Sequence, residues 1–142
     1  MKAGIDYIGV SVGAFILNDK GEVLLLKRSQ NSKNEKGSWE APGGAVEFWE
    51  KREDAVRREL KEELDVDIEI IDVLAVIDEI LPQDKQQWLA TSFLVKIKEG
   101  QKPRIVEPHK HEDIGWFAID SLPSPMSKVT SADVEAYKER LS

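Results

Sequence analysis

The sequence predicts an α/β/α sandwich with a mixed β-sheet, in which strands are covered by two helices. Three observations support this fold class. Several segments have the alternating or continuous apolar pattern of strands, two segments have helical patterns, and turn-forming residues separate them. A length of 142 residues fits one domain, residues 1–142, and 41% apolar with 33% charged residues is typical of a globular protein.

Two strands are expected before the first helix. Residues 7–17 alternate in character, and a turn follows at residues 18–21. Residues 22–28 are mostly apolar, so this strand is predicted to be buried on both faces. Residues 29–38 then form a polar loop rich in Lys and Asn.

The first helix is predicted from about residue 50 to residue 64, because this segment contains neither Gly nor Pro. Val56, Leu60 and Leu64 recur every four residues and form one apolar stripe. This stripe is expected to face the core.

The second half of the chain continues with strands and ends with a helix. We expect strands at residues 68–80 and 88–98, paired antiparallel through a turn at residues 82–87. A long polar loop is predicted at residues 99–113, followed by a short extended segment at 116–119. The last helix is predicted to start near Thr130 and to run to about Leu141.

The composition excludes several classes of protein. A net charge of −7 argues against a nucleic-acid groove, which needs a basic face. No apolar run approaches membrane-spanning length, and no signal-like segment follows Met1. The chain has no Cys, which fits a reducing compartment, so the cytoplasm is the expected location. The only protein partner that we consider is a second copy of the chain, in a homodimer.

Three carboxylates on the first helix predict a metal site. Glu59, Glu62 and Glu63 are three or four positions apart, which brings them onto one helix face within roughly 100° of arc. Like charges at this spacing repel, so they are either left to solvent or neutralised by a cation. Oxygen ligands suit Mg²⁺ or Mn²⁺. The octapeptide 57–64 that contains them would alone be typical of an ordinary exposed helix face. The wider pattern of residues 44–66 favours a functional site instead.

Residues 44–66 read GAVEFWEKREDAVRRELKEELDV. This resembles the Nudix box: glycine, five residues, glutamate, seven residues, then Arg-Glu-apolar-x-Glu-Glu-x-Gly-apolar. The preceding segment, from Trp39 to Gly44, also looks like the family's entry to the box. The resemblance implies a divalent-metal-dependent pyrophosphohydrolase of the MutT-like, or Nudix, superfamily with the sandwich fold already predicted.

The resemblance assigns roles within the box. It implies that Glu59 and Glu63 hold Mg²⁺, with Mn²⁺ as a substitute, and that Glu62 assists. It also implies a metal contact from a carbonyl near Gly44. Glu50 and Arg58 are expected to orient the loop and the helix, although Glu50 near the helix start also complements the helix dipole.

Residues outside this set are weaker candidates. Arg28 ends a strand and could meet substrate phosphates, although strand-end charges are more often solvated. Glu47 matches a further acidic position of the superfamily, and Glu112 precedes a Trp-Phe pair that many relatives share. The general base is left open among Glu62, Glu47 and Glu112. His109 and His111 in the late loop could bind a transition metal or make a substrate or gating contact, although a spacing of two in a loop is weak evidence for a metal.

Two positions depart from the family pattern. Asp65 stands where the box has glycine, and Asp tolerates the left-handed backbone that such a turn needs. It either fills the turn or adds charge near the metal. Trp49 replaces the glycine often found before Glu50, where it could cover the site, reach the substrate or fill a gap in the core.

The favoured substrates are nucleoside triphosphates, as members of the class of nucleoside diphosphates linked to another group. The late segment, residues 106–116, looks like relatives that act on them. ADP-ribose or a related nucleotide sugar is the alternative, because Pro82 lies where ADP-ribose-cleaving relatives tend to have proline. A non-catalytic nucleotide-binding module of the same fold would be expected to lack the three glutamates.

Overall fold

A computed structural model describes residues 1–142 of the chain. It contains seven strands and two helices. The strands are β1 Gly9–Ile16, β2 Val23–Arg28, β3 Trp39–Glu40, β4 Gly43–Ala45, β5 Ile68–Leu81, β6 Gln86–Ile97 and β7 His111–Phe117. The helices are α1 Arg52–Leu64 and α2 Lys128–Leu141.

The strands form two sheets. The four-stranded sheet has the order β4-β1-β6-β5, and the three-stranded sheet has the order β3-β2-β7. The first sheet is mixed, because β1 runs parallel to β6 while β4 and β5 are antiparallel to their neighbours. Helix α1 contacts β1 and β4, and α2 contacts β5 and β3. The predicted α/β/α fold with a mixed sheet is therefore confirmed.

The core has two parts, and each is completed by one helix. The larger cluster contains the predicted stripe of α1, Val56, Leu60 and Leu64, all with 0% exposure. The smaller cluster includes Val134 of α2, and Tyr137 packs on Phe15 with ring centroids 5.1 Å apart. Burial of these apolar faces holds both helices against the strands.

Several predicted elements are confirmed. The first four residues of β2, Val23–Leu26, have exposures of 0 to 1%, as expected for a strand buried on both faces. Strands β5 and β6 pair antiparallel, as predicted. Asp65 adopts a left-handed backbone with φ 56° and ψ 44°, which is the conformation the helix-ending turn requires.

Other boundaries were predicted wrongly. The segment predicted as a loop to residue 113 becomes strand β7 at His111, because it pairs with β2 with Arg28 opposite His111. Helix α1 begins at Arg52 rather than near residue 50. Helix α2 begins at Lys128, and its cap is Ser127, whose side chain accepts a hydrogen bond from the Thr130 amide.

Neither helix combines the length and the apolar character that are needed to cross a bilayer.

Candidate active site

A cavity of about 910 Å³ lies at the place where β4 and the end of α1 meet the three-stranded sheet. Its wall includes Gly43 and Gly44 of β4, Glu63 of α1, and Arg28 of β2. Residues of α2, among them Asp133, line the same cavity. One space therefore joins the predicted metal site to a second helix.

Arg58 organises the entrance to α1. Its guanidinium contacts both carboxylate oxygens of Glu50, with Nε 2.7 Å from Oε2 and Nη2 2.9 Å from Oε1. The same group donates to the Ala45 carbonyl at 3.0 Å. The hydrogen bonds from Arg58 lower the pKa of Glu50 to about 2, and Glu50 in turn raises the pKa of Arg58. The loop, the helix and β4 are thereby joined through one side chain.

Glu59 lies directly against the glycine strand. A Cβ built on Gly44 would approach the Glu59 carboxylate to 2.4–2.6 Å, so any larger residue at this position would displace that carboxylate. Arg58 donates to Glu59 Oε1 at 2.9 Å. Burial raises the pKa of Glu59, and the hydrogen bond from Arg58 partly offsets this rise. The carboxylate thus meets the backbone where a metal contact near Gly44 is predicted.

Glu63 is the most deeply placed of the three predicted carboxylates, with 5% exposure. Its Oε1 accepts a hydrogen bond from the Gly43 amide at 2.8 Å. The His111 Nε2 is 3.6 Å from Glu63 Oε2 and 3.1 Å from Glu40 Oε2. Burial raises the pKa of Glu63 well above its usual value, and the charges of Glu40 and Glu59 add to the rise.

These residues fit a divalent cation. Glu59, Glu63 and Glu40 bring repelling carboxylates together around a bare glycine backbone, and oxygen donors suit Mg²⁺ or Mn²⁺. No three acidic or His side chains converge as a complete cage. Mg²⁺ can be bound by one or two carboxylates, because water and phosphate oxygens supply its remaining ligands.

Three predicted glutamates lie further out. The Glu62 side chain is 53% exposed and its carboxylate is 3.4 Å from Arg58 Nη1. Glu47 is 67% exposed and 3.6 Å from the same nitrogen. Glu112 pairs with Lys27 at 3.6 Å and does not line the cavity. The structure groups Glu62 and Glu47 around Arg58 and leaves Glu112 apart from them.

Arg28 lies in the cavity wall, as its predicted role in substrate binding requires. Its Nη1 is 2.8 Å from Glu40 Oε1, and its Nε donates to the Asn34 carbonyl at 3.1 Å. A phosphate at this position would therefore compete with Glu40 for the guanidinium.

Sequence reasoning missed the role of Glu40, which was considered only as part of the entry to the box. His111 was named as a possible substrate contact but was placed in a loop. His111 is 4% exposed and lies beside both Glu40 and Glu63. The pairing of β7 with β2 brings His111 to this cluster. The polar residues of this segment do not indicate that pairing in the sequence.

Asp133 is a further buried acidic residue at the cavity, with 1% exposure. Neither of its carboxyl oxygens has a hydrogen-bond partner, and the neighbouring Ser92 hydroxyl has none either. Burial raises the pKa of Asp133 to about 7, while the nearby Ser92 hydroxyl works in the opposite direction without a regular hydrogen bond.

Trp49 does not fill the core. It is 94% exposed, has a left-handed backbone with φ 71°, and packs edge-on against Phe48 with ring centroids 4.7 Å apart. The core-filling alternative is therefore wrong. The positive φ explains why glycine is common at this position.

Several proteins of known sequence are similar to this chain. The chain is similar to an RNA pyrophosphohydrolase from Ruthia magnifica subsp. Calyptogena magnifica, with 38% identity over 94 residues, which are 66% of this chain and 45% of that protein. It matches 23% of the length of Nudix hydrolase 5 from Arabidopsis thaliana, at 33% identity over 49% of this chain. These two relatives are thus matched over less than half of their own length. An RNA pyrophosphohydrolase from Pseudomonas fluorescens (strain SBW25) is 30% identical over 92% of this chain and 87% of its own.

Solved structures and a family model give the same assignment. The fold is similar to the MutT NUDIX hydrolase from Burkholderia pseudomallei, with a TM-score of 0.85 and 39% identity over 92% of this chain and 98% of that one. A MutT protein from Methanosarcina mazei Go1 is similar with a TM-score of 0.78 and 27% identity, over 95% and 96% of the two chains. The family model for the NUDIX domain matches residues 8–138, so the chain belongs to the NUDIX family.

Proposed function

We propose that this protein is a Mg²⁺-dependent pyrophosphohydrolase that cleaves nucleoside triphosphates at a phosphoric anhydride bond. One observation carries the proposal: two carboxylates of α1, Glu59 and Glu63, lie against the glycine strand β4, and Glu63 lines a cavity with Gly43 and Gly44 that is large enough for a small ligand. The names of the similar proteins, MutT hydrolase and RNA pyrophosphohydrolase, support the same reaction class.

The chain's own residues explain how a diphosphate would be held. Glu59 and Glu63 would bind the cation, with Glu62 assisting and the backbone near Gly44 as a further oxygen donor. When bound, Mg²⁺ lowers the pKa of water and offsets charge that develops on the phosphate oxygens. Arg58 and Glu50 fix the orientation of α1 against β4, so the carboxylates keep their position during the reaction.

Arg28 supplies positive charge in the wall of the same cavity. Its guanidinium lies beside Glu40 and can bind a phosphate oxygen with the planar geometry that suits Arg. This local charge matters because the protein carries a net charge of −7, which repels an anionic substrate unless cations arrive with it.

The general base stays open among Glu62, Glu47 and Glu112. Glu62 and Glu47 are exposed residues beside Arg58, whereas Glu112 would have to leave Lys27 and reach the cavity. Single Gln variants would separate them, because loss of the base flattens the pH dependence of kcat at fixed metal concentration. Location in the cytoplasm and formation of a homodimer also stay predictions.

The test is hydrolysis of a nucleotide panel at fixed Mg²⁺. Nucleoside triphosphates, ADP-ribose and dinucleoside polyphosphates are compared for phosphate or nucleotide release, with and without excess chelator. We expect the highest kcat/KM for a nucleoside triphosphate and no turnover with chelator. Preference for ADP-ribose would favour the nucleotide-sugar alternative, full turnover in chelator would refute metal dependence, and binding without turnover would indicate a non-catalytic module.

A further inference from the structure

We propose that a second copy of this chain packs on an exposed apolar face of the four-stranded sheet, where Asp78 of each copy pairs with Arg52 of the other across a two-fold axis. The apolar face consists of five aliphatic residues: Ile8, Val10, Val76, Ile80 and Leu89. The inference does not rest on the proposed function, because these five residues lie outside the wall of the candidate active-site cavity.

Strand register brings the side chains of the apolar face together. Leu89 of β6 lies opposite Val10 of β1 on one side and opposite Asp78 of β5 on the other. Residues directly opposite each other on neighbouring strands point to the same side of a sheet, and so do residues two positions apart on one strand. Ile80 therefore follows Asp78 on this side of β5, and Ile8 precedes Val10 at the start of β1.

Helix α1 covers only part of this side of the sheet. Val12, two residues after Val10, is buried in the core cluster that α1 completes. Arg52, the first residue of α1, donates to Thr91 Oγ1 at 3.1 Å, so the helix begins beside Thr91. The five residues of the apolar face are 40–58% exposed. A contiguous exposed apolar patch of this kind is typical of an interaction surface.

The loop before α1 enlarges this surface. The Val46 amide at its start donates to the Val10 carbonyl at 2.9 Å, and Arg52 at its end bonds to β6. Between them, Phe48 and Trp49 are 83% and 94% exposed. Each of these rings can bury about 150–250 Å². Together with the apolar face they bring the surface toward the roughly 800 Å² per partner of a standard protein interface.

The charges on this surface favour a second copy as the partner. Asp78 lies within the apolar face and Arg52 lies at its border. Both residues are exposed, and neither forms an ion pair within the chain. A two-fold axis presents the same patch from both sides, so each Asp78 can meet Arg52 of the other copy. A partner without charges would instead leave both groups covered and unpaired, which is costly.

A membrane surface or a nucleic acid fits this face less well. The chain carries a net charge of −7, which anionic lipids and phosphates repel. Two copies of the chain also repel each other, but Asp78 and Arg52 balance each other where the copies would touch. The candidate active-site cavity is lined by Glu79 and Ala90, which point to the other side of the same strands. The contact therefore leaves the cavity open to ligands.

The decisive variant is Leu89→Lys, which places a charge in the middle of the apolar face. Analytical ultracentrifugation of the wild type should show a mass twice that of the chain. We expect the dissociation constant of this dimer to rise at least about 100-fold in Leu89→Lys. Leu141→Lys is the matched control, since Leu141 is 66% exposed on α2, which packs against the smaller core cluster. It should keep the wild-type constant.

Reversal of the two charges tests the pairing itself. Asp78→Arg and Arg52→Asp should each weaken the dimer by about tenfold or more, because like charges then face each other. The double variant should recover most of the affinity, because the pair is restored with its signs exchanged. Both positions are exposed, so these variants decide the question even if Leu89→Lys does not fold. Circular dichroism checks that each variant keeps its fold.

Three results would overturn the inference. The first is a wild-type protein that stays monomeric at about 100 μM, where even a weak specific dimer forms. The second is a dimer that Leu89→Lys leaves intact, and the third is a pair of single reversals that the double variant does not rescue. If the monomer instead binds phosphatidylserine vesicles, and Leu89→Lys abolishes that binding, the face contacts membranes and the inference is wrong.

Discussion

The two helices present acidic residues to one cavity in opposite ways. On α1, Glu59 and Glu63 have partners: Arg58 contacts the first, and the Gly43 amide donates to the second. On α2, Asp133 has no partner at all. Both sets are largely buried, so exposure does not distinguish them, but hydrogen bonding does.

This difference shows how the molecule divides its tasks. The α1 network holds carboxylates in fixed positions before any ligand arrives, as required for metal binding and phosphate chemistry. The α2 carboxyl is instead buried without a hydrogen bond, and its burial raises its pKa to about 7. The comparison therefore predicts that α1 variants change turnover, while a variant of Asp133 on α2 changes stability.

The largest effect is expected from Glu63→Gln. The amide keeps an oxygen to accept the Gly43 hydrogen bond, so the fold should persist, but the metal loses a charged ligand. We expect kcat/KM to fall by at least about 10³-fold, and Glu59→Gln to behave similarly. Glu53→Gln, an exposed carboxylate on the same helix, serves as the control. Turnover at the wild-type level in both variants, with a lower melting temperature, would make these residues structural.

Most of α1 and its carboxylate site could be predicted from the sequence, because the patterns that indicate them are local. The α1 stripe, the spacing of its carboxylates and the turn at Asp65 depend on residues within a few positions of one another. Strand pairing is not local. The parallel contact of β1 with β6, and the short strands β3 and β4, depend on partners that no window of sequence contains.

The surroundings of His111, Asp133 and Trp49 could not be predicted, because they depend on the folded chain and not on a local pattern. His111 belongs to β7 only because β2 lies beside it, and its contact with Glu40 joins residues 71 positions apart. Asp133 was not among the candidate residues, since a sequence cannot show that a carboxyl will be buried without a hydrogen bond. For Trp49 the sequence left core and surface open, because neither its positive φ nor its exposure can be predicted from residue propensity alone.

The second prediction concerns the stability of α2. The pKa of Asp133 is about 7 in the folded protein, against an ordinary value of 3.8, so the folded state binds its proton more tightly. The free energy of unfolding that this group contributes is complete below about pH 4 and is lost as pH rises through about 7. Asp133→Asn should therefore be more stable than wild type at pH 8.5, by up to about 4 kcal/mol, because one pKa unit is worth 1.36 kcal/mol.

Urea unfolding at pH 5.5 and pH 8.5 measures this effect. The difference in free energy of unfolding between Asp133→Asn and the wild type should grow from pH 5.5 to pH 8.5. Glu135→Gln, which changes an exposed carboxylate on the same helix, should show little change and serves as the control. An advantage independent of pH would mean that the carboxyl does not titrate in this range, and a destabilised variant would mean that Asp133 makes a contact worth keeping.

The third prediction returns to α1 and tests its fixed geometry. Arg58→Lys keeps the positive charge but cannot contact Glu50 through two nitrogens and also reach Glu59 and the Ala45 carbonyl. We expect kcat to fall by about 100-fold through misplacement of the carboxylates, with the fold retained. Arg57→Lys is the control, since the neighbouring Arg57 only pairs with Asp54 at 3.7 Å. Equal turnover in the two variants would show that charge alone is enough at Arg58.

The smallest effect is expected at Asp65, which ends α1 in a left-handed backbone. Asp65→Gly removes the Cβ that this conformation crowds, but glycine adds unfolded-state entropy worth about 0.4–1 kcal/mol. The variant also loses exposed ion pairs to Arg104 at 3.4 Å and Lys61 at 3.6 Å, which are worth little. These contributions nearly cancel, so the free energy of unfolding should change by less than about 1 kcal/mol, with activity retained.

Asp65→Ala makes this test sharper. Alanine keeps the Cβ but lacks the short polar side chain that lets Asp tolerate φ 56°, so it should be less stable than Asp65→Gly by about 1 kcal/mol. Thermal unfolding of the two variants and the wild type gives the order. Equal stability of Gly and Ala would mean that the turn relaxes without strain. A large loss of turnover in both variants, with stability unchanged, would instead place Asp65 among the groups that act on the metal.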